Sequence, residues 1–237
     1  MGPSSAEKAV INIQDEYRYE RKFDISDGLA PGEAESIIKI HPAIFSEIFY
    51  SRFVNSIYLD TNSMGNYFDN VYGFADRKKI RLRWYGSLFG KIDKPTLEIK
   101  IKKGFVGKKK SYPIHGFVLD SDFNIGTFLS AALESGIPDF LKQDLHFFNP
   151  VLLNRYSRKY FLSANKKYRI TLDTNLSFYK IKRHNNSFLS SIQSKSKIVI
   201  ELKYESRHDN NADRIINSFP FRVTRNSKYV NGIKNLY

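Results

Sequence analysis

Basic residues alternate with mostly apolar residues in the stretch from residue 76 to residue 86. The two-residue period of a β-strand would place four cations on one face, namely Arg77, Lys79, Arg81 and Arg83. Like charges on alternate residues repel one another unless an anion or counterions sit among them. Arginine offers a planar fork to phosphate oxygens, and lysine offers a point charge. The stretch therefore predicts a strand face that binds a polyanion, and the alternative is a basic face in contact with solvent.

Carboxylates stand two residues before a lysine in three other predicted strands. The pairs are Glu20 with Lys22, Glu98 with Lys100, and Glu201 with Lys203. A carboxylate opposes simple anion binding, but it is a natural ligand for Mg²⁺ or Mn²⁺ that bridges phosphate oxygens. The combination of cations and carboxylates indicates metal-assisted phosphoryl transfer. The structural alternative is a set of internal salt bridges between these carboxylates and nearby cations.

The elements that would position these side chains are mainly two-faced strands. Strands are predicted at residues 17–23, 53–60, 76–86, 96–103, 151–162, 168–173, 176–182 and 197–205. Helices are predicted at residues 31–50 in two pieces, with a restart at residue 41, and at residues 66–72, 125–135, 137–145 and 212–218. We expect an α+β fold in which about eight antiparallel strands form a tunnel with a charged interior, flanked by several helices. A barrel with an apolar interior is the alternative.

The composition describes a globular chain that favours an anionic partner. Of 237 residues, 41% are hydrophobic, and 38 Lys and Arg against 24 Asp and Glu give a net charge of +14. Because the cations are spread over predicted strands instead of lying in basic blocks, they favour a shaped phosphate pocket over a nucleic-acid arm. The chain has no cysteine, which excludes disulfides and thiol chemistry. The five histidines show no paired metal-binding spacing.

The chain is expected to form one domain. Residues 1–14 are expected to be a disordered tail, and residues 15–237 a single domain. No apolar run approaches the roughly 18 to 20 residues of a membrane-spanning helix, and the N-terminus does not read as a signal sequence. We expect a cytoplasmic protein. A peripheral position at the inner face of a membrane, next to a separate membrane protein partner, stays open.

Six ordered motifs resemble those of a known family. They lie at residues 19–23, 55–61, 77–86, 97–100, 169–173 and 227–229. These segments resemble the VTC polyphosphate polymerase domain, which belongs to the triphosphate tunnel metalloenzyme, or CYTH-like, superfamily. The resemblance implies an eight-stranded antiparallel tunnel. It also implies that the protein is a polyphosphate kinase type of enzyme, which transfers the γ-phosphate of ATP to a growing polyphosphate chain, uses Mn²⁺ or Mg²⁺, and releases ADP.

The resemblance extends to individual positions. It implies that the triphosphate or the polyphosphate binds Lys22, Arg81, Arg83, Lys100, Lys110, Arg158, Arg169, Lys203 and Lys228. It implies metal ligation by Glu201, with Glu20 and Glu98 as further acidic candidates. Catalysis is assigned to Lys22, Arg81, Arg83, Lys100, Arg158, Arg169 and Glu201. One position departs from the superfamily pattern Glu-x-Glu-x-Lys, because Arg18 stands where the first glutamate is expected.

Two other functions fit the same residues. An inorganic triphosphatase or nucleoside triphosphatase of this fold would use water in place of the phosphate acceptor. A catalytically silent module would bind polyphosphate or nucleotides without turnover. Nucleic-acid binding is not expected, because the many aromatic residues alternate with charged positions as wall residues do and do not form a base-stacking platform.

Overall fold

The computed structural model describes residues 18–25, 28–103, 106–188, 191–194 and 198–237. The tail expected at residues 1–14 lies outside the described residues. The chain divides into two compact units. Unit 1 contains Asn55–Leu153 and Tyr179–Ser190, and unit 2 contains Glu16–Val54, Asn154–Phe178 and Ser191–Tyr237. The expectation of one domain from residue 15 onward stays a prediction.

Strands dominate the part of the chain that the structure describes. They are β1 (Arg18–Ile25), β2 (Phe45–Asp60), β3 (Arg77–Tyr85), β4 (Gly90–Ile92), β5 (Thr96–Lys103), β6 (Val106–Pro113), β7 (Phe117–Leu119), β8 (Asn149–Ser163), β9 (Tyr168–Lys180), β10 (Ile192–Gln193), β11 (Ile198–Glu205) and β12 (Val223–Thr224). The helices are α1 (Pro31–Lys39), α2 (Gly65–Tyr72), α3 (Ile125–Leu133), α4 (Asp139–Leu145), α5 (Ala212–Asn217) and α6 (Lys228–Leu236), with a 3₁₀ helix at Ser206–Asn211. The α+β class is confirmed. The expected number of eight strands is wrong, because the main sheet has ten and β4 pairs with β7 apart from it.

In unit 1 the strands follow the order β2-β3-β5-β6, and β5 pairs antiparallel with both β3 and β6. Strand alternation places Ile80, Leu82 and Trp84 on one face of β3, where they are buried in an apolar core. Helices α3 and α4 cover this core with side chains such as Phe128 and Leu141. The charged residues of β3 therefore occupy the opposite face.

In unit 2 the strands follow the order β12-β1-β11-β9-β8-β2. One face packs Phe23, Ile200 and Ile170 against Ile38 of α1. At the end of the unit, the side chain of Ser227 accepts a hydrogen bond from the Val230 amide and caps α6. This capped start places Lys228 in the first turn of the helix, where it lies buried.

Two of the expected elements are wrong. Residues 41–50 do not restart a helix, because Ile44 has a φ of 52° and β2 begins at Phe45. The two strands expected at residues 168–173 and 176–182 form one strand, β9, in which Asn175 has a φ of 54°. Asn175 therefore marks a local irregularity within β9 and not the end of a strand. No helix that the structure describes is both long and apolar enough to cross a membrane.

Candidate functional site

Each unit carries one charged cluster on the sheet face opposite its apolar core. The Glu98 cluster, in unit 1, consists of Tyr58, Arg81, Arg83, Glu98 and Lys109. The Glu201 cluster, in unit 2, consists of Glu20, Lys22, Arg158, Asp173, Glu201, Lys203 and Lys228. Antiparallel pairing builds both clusters, because residues opposite each other in neighbouring strands share a face.

The Glu98 carboxylate is the centre of the first cluster and is only 6% exposed. Arg81 contacts its Oε2 atom twice, from Nε at 2.8 Å and from Nη2 at 2.7 Å. Arg83 Nη1 lies 3.5 Å from the same oxygen, and Lys109 Nζ donates to Oε1 at 2.9 Å. Burial by itself would raise the pKa of Glu98, but the three cations, Arg81 foremost, hold it well below the usual range of a carboxyl. Glu98 is therefore a fixed anion that holds two guanidinium groups side by side.

Strand register extends the Glu98 cluster into a wider basic face. Lys79, Lys100 and Lys109 are Cα partners in successive strands, and Arg77 pairs with Lys102. The face formed by β3, β5 and β6 thus carries seven cations and one carboxylate, a net charge of 7 − 1 = +6 in the described residues: Arg77, Lys79, Arg81, Arg83, Lys100, Lys102 and Lys109 against Glu98. Such a face attracts anions strongly.

The structure places Lys109 of β6, and not the predicted phosphate ligand Lys110, on this face. Lys109 contacts Glu98, whereas Lys110 points to the other side of the strand, as alternation requires. There its ammonium lies 5.9 Å from the centre of the Phe140 ring on α4. Lys110 stays a predicted phosphate ligand, and we propose Lys109 as the phosphate ligand on the basic face. No spacing rule separates the two, because adjacent lysines face opposite sides of a strand and the local sequence does not give the register of β6 against β5.

The Glu201 carboxylate, on β11, is the centre of the second cluster and is 5% exposed. Lys203 Nζ lies 2.9 Å and Arg158 Nη2 lies 3.6 Å from its Oε2 atom. Lys228 Nζ lies 3.4 Å and Lys22 Nζ lies 3.5 Å from its Oε1 atom. Burial would raise the pKa of Glu201, but these four cations, Lys203 foremost, hold it well below its usual range. Glu201 is therefore ionised throughout the physiological pH range.

Asp173 is a second buried anion of this cluster, and it is fully buried. Arg158 binds it with two parallel hydrogen bonds, one from Nε to Oδ1 and one from Nη2 to Oδ2 at 2.7 Å. Lys228 Nζ lies 2.7 Å from Oδ2. Asp173 is not among the site residues predicted from the sequence. The sequence does contain a signal that could have identified Asp173: the two-residue alternation in β9 puts it on the same face as Arg169.

Lys22 lies between two carboxylates. Its Nζ atom is 3.4 Å from Glu20 Oε1 and 3.5 Å from Glu201 Oε1, and it donates to the backbone oxygen of Asn226 at 2.9 Å. Because one ammonium reaches both carboxylates, Glu20 and Glu201 lie close together on the charged face of β1 and β11.

This pair of carboxylates is the part of unit 2 that suits a divalent metal. Within the described residues, no group of three or more histidine and acidic side chains could hold an ion alone. Mg²⁺ commonly takes one or two carboxylates and completes its shell with water and substrate phosphates. Glu20 and Glu201 fit an ion of that kind. Glu98 stays a predicted metal ligand, and in unit 1 its carboxylate contacts three cations.

Two predicted phosphate ligands are exposed. Arg169 is the Cα partner of Lys203, which places it on the charged face of unit 2. Lys100 is the Cα partner of both Lys79 and Lys109 on the basic face of unit 1. Both residues are exposed to solvent at these positions.

The described residues thus combine antiparallel pairing with cation-rich sheet faces and buried carboxylates. The VTC domain family matches residues 17–237, and the chain belongs to that family. The resemblance that the sequence motifs indicated is confirmed. No functionally curated protein matches the sequence.

Three solved structures share the fold. A candidate adenylate cyclase from Bacillus halodurans is 14% identical, with a TM-score of 0.53 over 94% of this chain and 98% of that chain. A protein from Pyrococcus horikoshii OT3 is 12% identical, with a TM-score of 0.51 over 92% and 99%. A candidate adenylyl cyclase from Hippeastrum, described as having a dominant triphosphatase activity, is 12% identical, with a TM-score of 0.50 over 93% and 96%. At these identities the similarity shows the fold alone.

Proposed function

We propose that this protein is a polyphosphate polymerase, which transfers the γ-phosphate of ATP to a growing inorganic polyphosphate chain and releases ADP. The Glu201 cluster is the observation that carries the proposal: four cations surround a buried, ionised carboxylate in a chain of the VTC family. Phosphoryl transfer depends on positioning and charge neutralisation more than on a nucleophilic side chain. A cluster of this composition supplies both.

The reaction we propose is an in-line displacement at the γ-phosphorus. A terminal oxygen of polyphosphate forms a bond to the γ-phosphorus, the bond from that phosphorus to the β,γ-bridging oxygen breaks, and ADP leaves with the electron pair. Arg158 and Lys228 are held in place by Asp173 before any substrate arrives. Preset cations of this kind lower the cost of binding a multiply charged triphosphate, because they need little reorganisation.

A divalent ion, Mn²⁺ or Mg²⁺, when bound, would neutralise charge on the phosphate oxygens. We propose that Glu201 holds this ion, with Glu20 as the second carboxylate. The low pKa of Glu201, which the cations maintain against the effect of burial, keeps it in the form that binds a metal. Lys22 contacts both carboxylates, and we expect it to exchange its carboxylate contacts for phosphate contacts on binding.

A triphosphatase is the second candidate. The Hippeastrum protein of the same fold is described as having triphosphatase activity. In that reaction, water would attack the γ-phosphorus and orthophosphate would be released. The Glu201 cluster would neutralise the same charges in both reactions, so the acceptor decides between them.

Product analysis tests the proposal. Purified protein is incubated with ATP and Mn²⁺, and the products are sized on a gel. We expect ADP together with a ladder of polyphosphate, and at least a hundredfold loss of turnover in Glu201→Gln. Glu205→Gln is the matched control, because it removes a partly exposed carboxylate from the same strand.

Each alternative outcome has a distinct meaning. Orthophosphate without a ladder would contradict the polymerase and support the triphosphatase. Tight ligand binding with neither product would contradict both enzymes and indicate a silent binding module. Full turnover in Glu201→Gln would exclude the Glu201 cluster as the site.

As part of the same proposal, we place the reaction in the cytoplasm, where ATP is available, with a peripheral position at the membrane. Movement of the product across a membrane would require a separate membrane protein partner. Cell fractionation tests this: we expect the protein in the membrane fraction at low salt and in the supernatant after a high-salt wash. Recovery in the supernatant under both conditions would contradict the peripheral position.

A further inference from the structure

Four side chains form a row across the sheet of unit 2, in the order Thr224, Lys22, Glu201 and Thr171. Lys22 is the Cα partner of both Thr224 on β12 and Glu201 on β11, and Glu201 is in turn the partner of Thr171 on β9. Residues directly opposite one another in antiparallel strands point to the same face. The two threonine hydroxyls therefore flank the central ion pair of the Glu201 cluster, one on each side.

Both hydroxyls are buried without a hydrogen-bond partner among the described residues. This holds for the Oγ1 atoms of Thr171 and Thr224, and Thr171 as a whole is only 5% exposed. A buried hydroxyl without a partner destabilises a folded protein, and valine would fill almost the same space without that cost. Valine is also at least as well suited to a strand. Stability alone therefore gives no reason for a threonine at either position.

The surroundings of the row indicate which ligand the hydroxyls would serve. The Glu201 cluster contains four cations and three carboxylates, a net charge of 4 − 3 = +1, which favours an anion. The ammonium groups of the cluster can donate hydrogen bonds but cannot accept them. The carboxylate oxygens of Glu201 already face four cations. The two hydroxyl groups therefore lack an acceptor for their protons, and the oxygens of an oligophosphate would supply several acceptors.

We propose that the hydroxyls of Thr171 and Thr224 are phosphate ligands, which donate hydrogen bonds to phosphoryl oxygens of an inorganic oligophosphate bound at the Glu201 cluster. This inference rests on the proposed function. The side chains of Lys22 and Lys203 are 22% and 31% exposed and have long stems. On binding, we expect these two lysines to turn from carboxylate to phosphate oxygens, so that the phosphate chain lies beside the two hydroxyls.

Titration calorimetry with inorganic tripolyphosphate tests the proposal. The measurement is made on the full chain in EDTA, so that no metal contributes. We expect Thr171→Val and Thr224→Val each to weaken binding about tenfold, which is the loss of one hydrogen bond to a charged group. Thr171→Ser keeps the hydroxyl, so its affinity stays close to that of the wild type. Thr174→Val is the matched control, since Thr174 pairs with Ile198 on the core face of the same strand.

Thermal unfolding of the ligand-free variants separates lost binding from damaged folding. Because Thr171→Val removes an unpartnered buried hydroxyl, we expect its Tm to equal or exceed that of the wild type while its affinity falls. A fall in both Tm and affinity would instead indicate a structural role and contradict the proposal.

The remaining outcomes distinguish this inference from the proposed function. If the wild type binds tripolyphosphate and both valine variants bind it equally well, the inference is wrong and the proposed function stands. A loss of affinity that occurs with Mn²⁺ but not in EDTA would show that the hydroxyls serve a metal, which also contradicts the proposal. If the wild type does not bind tripolyphosphate at all, both fail.

Discussion

The two charged clusters differ in how far their cations are neutralised and buried. The basic face of unit 1 has seven cations and one carboxylate, and its cations are partly exposed, with side-chain exposures of 23% for Arg81 and 46% for Lys109. In the Glu201 cluster, four cations face three carboxylates. The two cations that contact Asp173, Arg158 and Lys228, are only 9% and 7% exposed, whereas Lys22 and Lys203 are 22% and 31% exposed. Excess positive charge near solvent attracts anions of many shapes, whereas a buried and nearly balanced network fixes the positions of its members.

From this difference we propose a separate task for each cluster. The basic face of unit 1 suits binding, because its affinity comes mainly from charge and falls as salt rises. The Glu201 cluster suits chemistry, because its cations are preset and its carboxylates can share a metal with phosphate oxygens. We therefore expect substitutions of the charged residues in the Glu201 cluster to act mainly on stability and turnover, and substitutions on the basic face of unit 1 to act mainly on affinity.

The largest expected effect is on stability, from Asp173→Asn. Without the negative charge of Asp173, the buried cations Arg158 and Lys228 are only partly neutralised. Breaking a buried ion pair costs about 3 to 5 kcal/mol of folding free energy. Glu98→Gln is the counterpart in unit 1, and we expect a smaller loss, on the order of 1 to 2 kcal/mol, because Arg81 and Lys109 are partly exposed and can turn to solvent. The free energy of unfolding in urea measures both. If both substitutions lowered the free energy of unfolding equally, the proposed difference between the two clusters would be wrong.

The pH dependence of the same variant provides a control. Burial would raise the pKa of Asp173, but Arg158 and Lys228 lower it below its value in the unfolded chain. A carboxyl with a lowered folded pKa contributes stability that is present above the unfolded pKa of about 4 and is lost as the pH falls below it. The stability difference between wild type and Asp173→Asn should therefore shrink as the pH falls from about 5 towards 3. A constant difference would show that the effect is not electrostatic.

A smaller effect is expected on affinity, from Arg83→Met. Loss of this guanidinium should weaken tripolyphosphate binding about tenfold, because hydrogen bonds between ionised groups are the strong ones. Lys78→Met is the matched control, since Lys78 is exposed on the opposite face of the same strand. Calorimetry at two salt concentrations measures both the affinity and its dependence on charge. If Lys78→Met weakened binding as much as Arg83→Met, the affinity would depend on the net charge of the protein and not on which face of β3 carries the cation.

Much of the charged face of each unit could be predicted from sequence alternation. The two-residue period correctly separated Arg81 and Arg83 from Ile80 and Leu82, because one face of the strand had to enter a core. Family motifs identified Lys228, which no periodicity would have found, since it lies in the first turn of a helix that was not predicted.

The contacts between strands could not be predicted in the same way. Asp173 was recognised as a strand residue, but its ion pair with Arg158 joins β8 to β9 and depends on register. The unpartnered hydroxyls of Thr171 and Thr224 became visible only when the pairing of four strands was known. Register is set by turn geometry and core packing together, and neither is written in the local pattern of one strand.

The smallest expected effect separates two neighbouring lysines of β6. Lys109 donates to Glu98 on the basic face, and Lys110 lies over Phe140 on the other. Lys109→Met should weaken tripolyphosphate binding about threefold, the effect of one partly exposed cation, and Lys110→Met should leave it unchanged. Both substitutions remove one positive charge from adjacent positions, so any difference between them reports strand face and not net charge. A stronger effect from Lys110→Met than from Lys109→Met would contradict this expectation and support Lys110, the residue that the family resemblance selected, as the phosphate ligand.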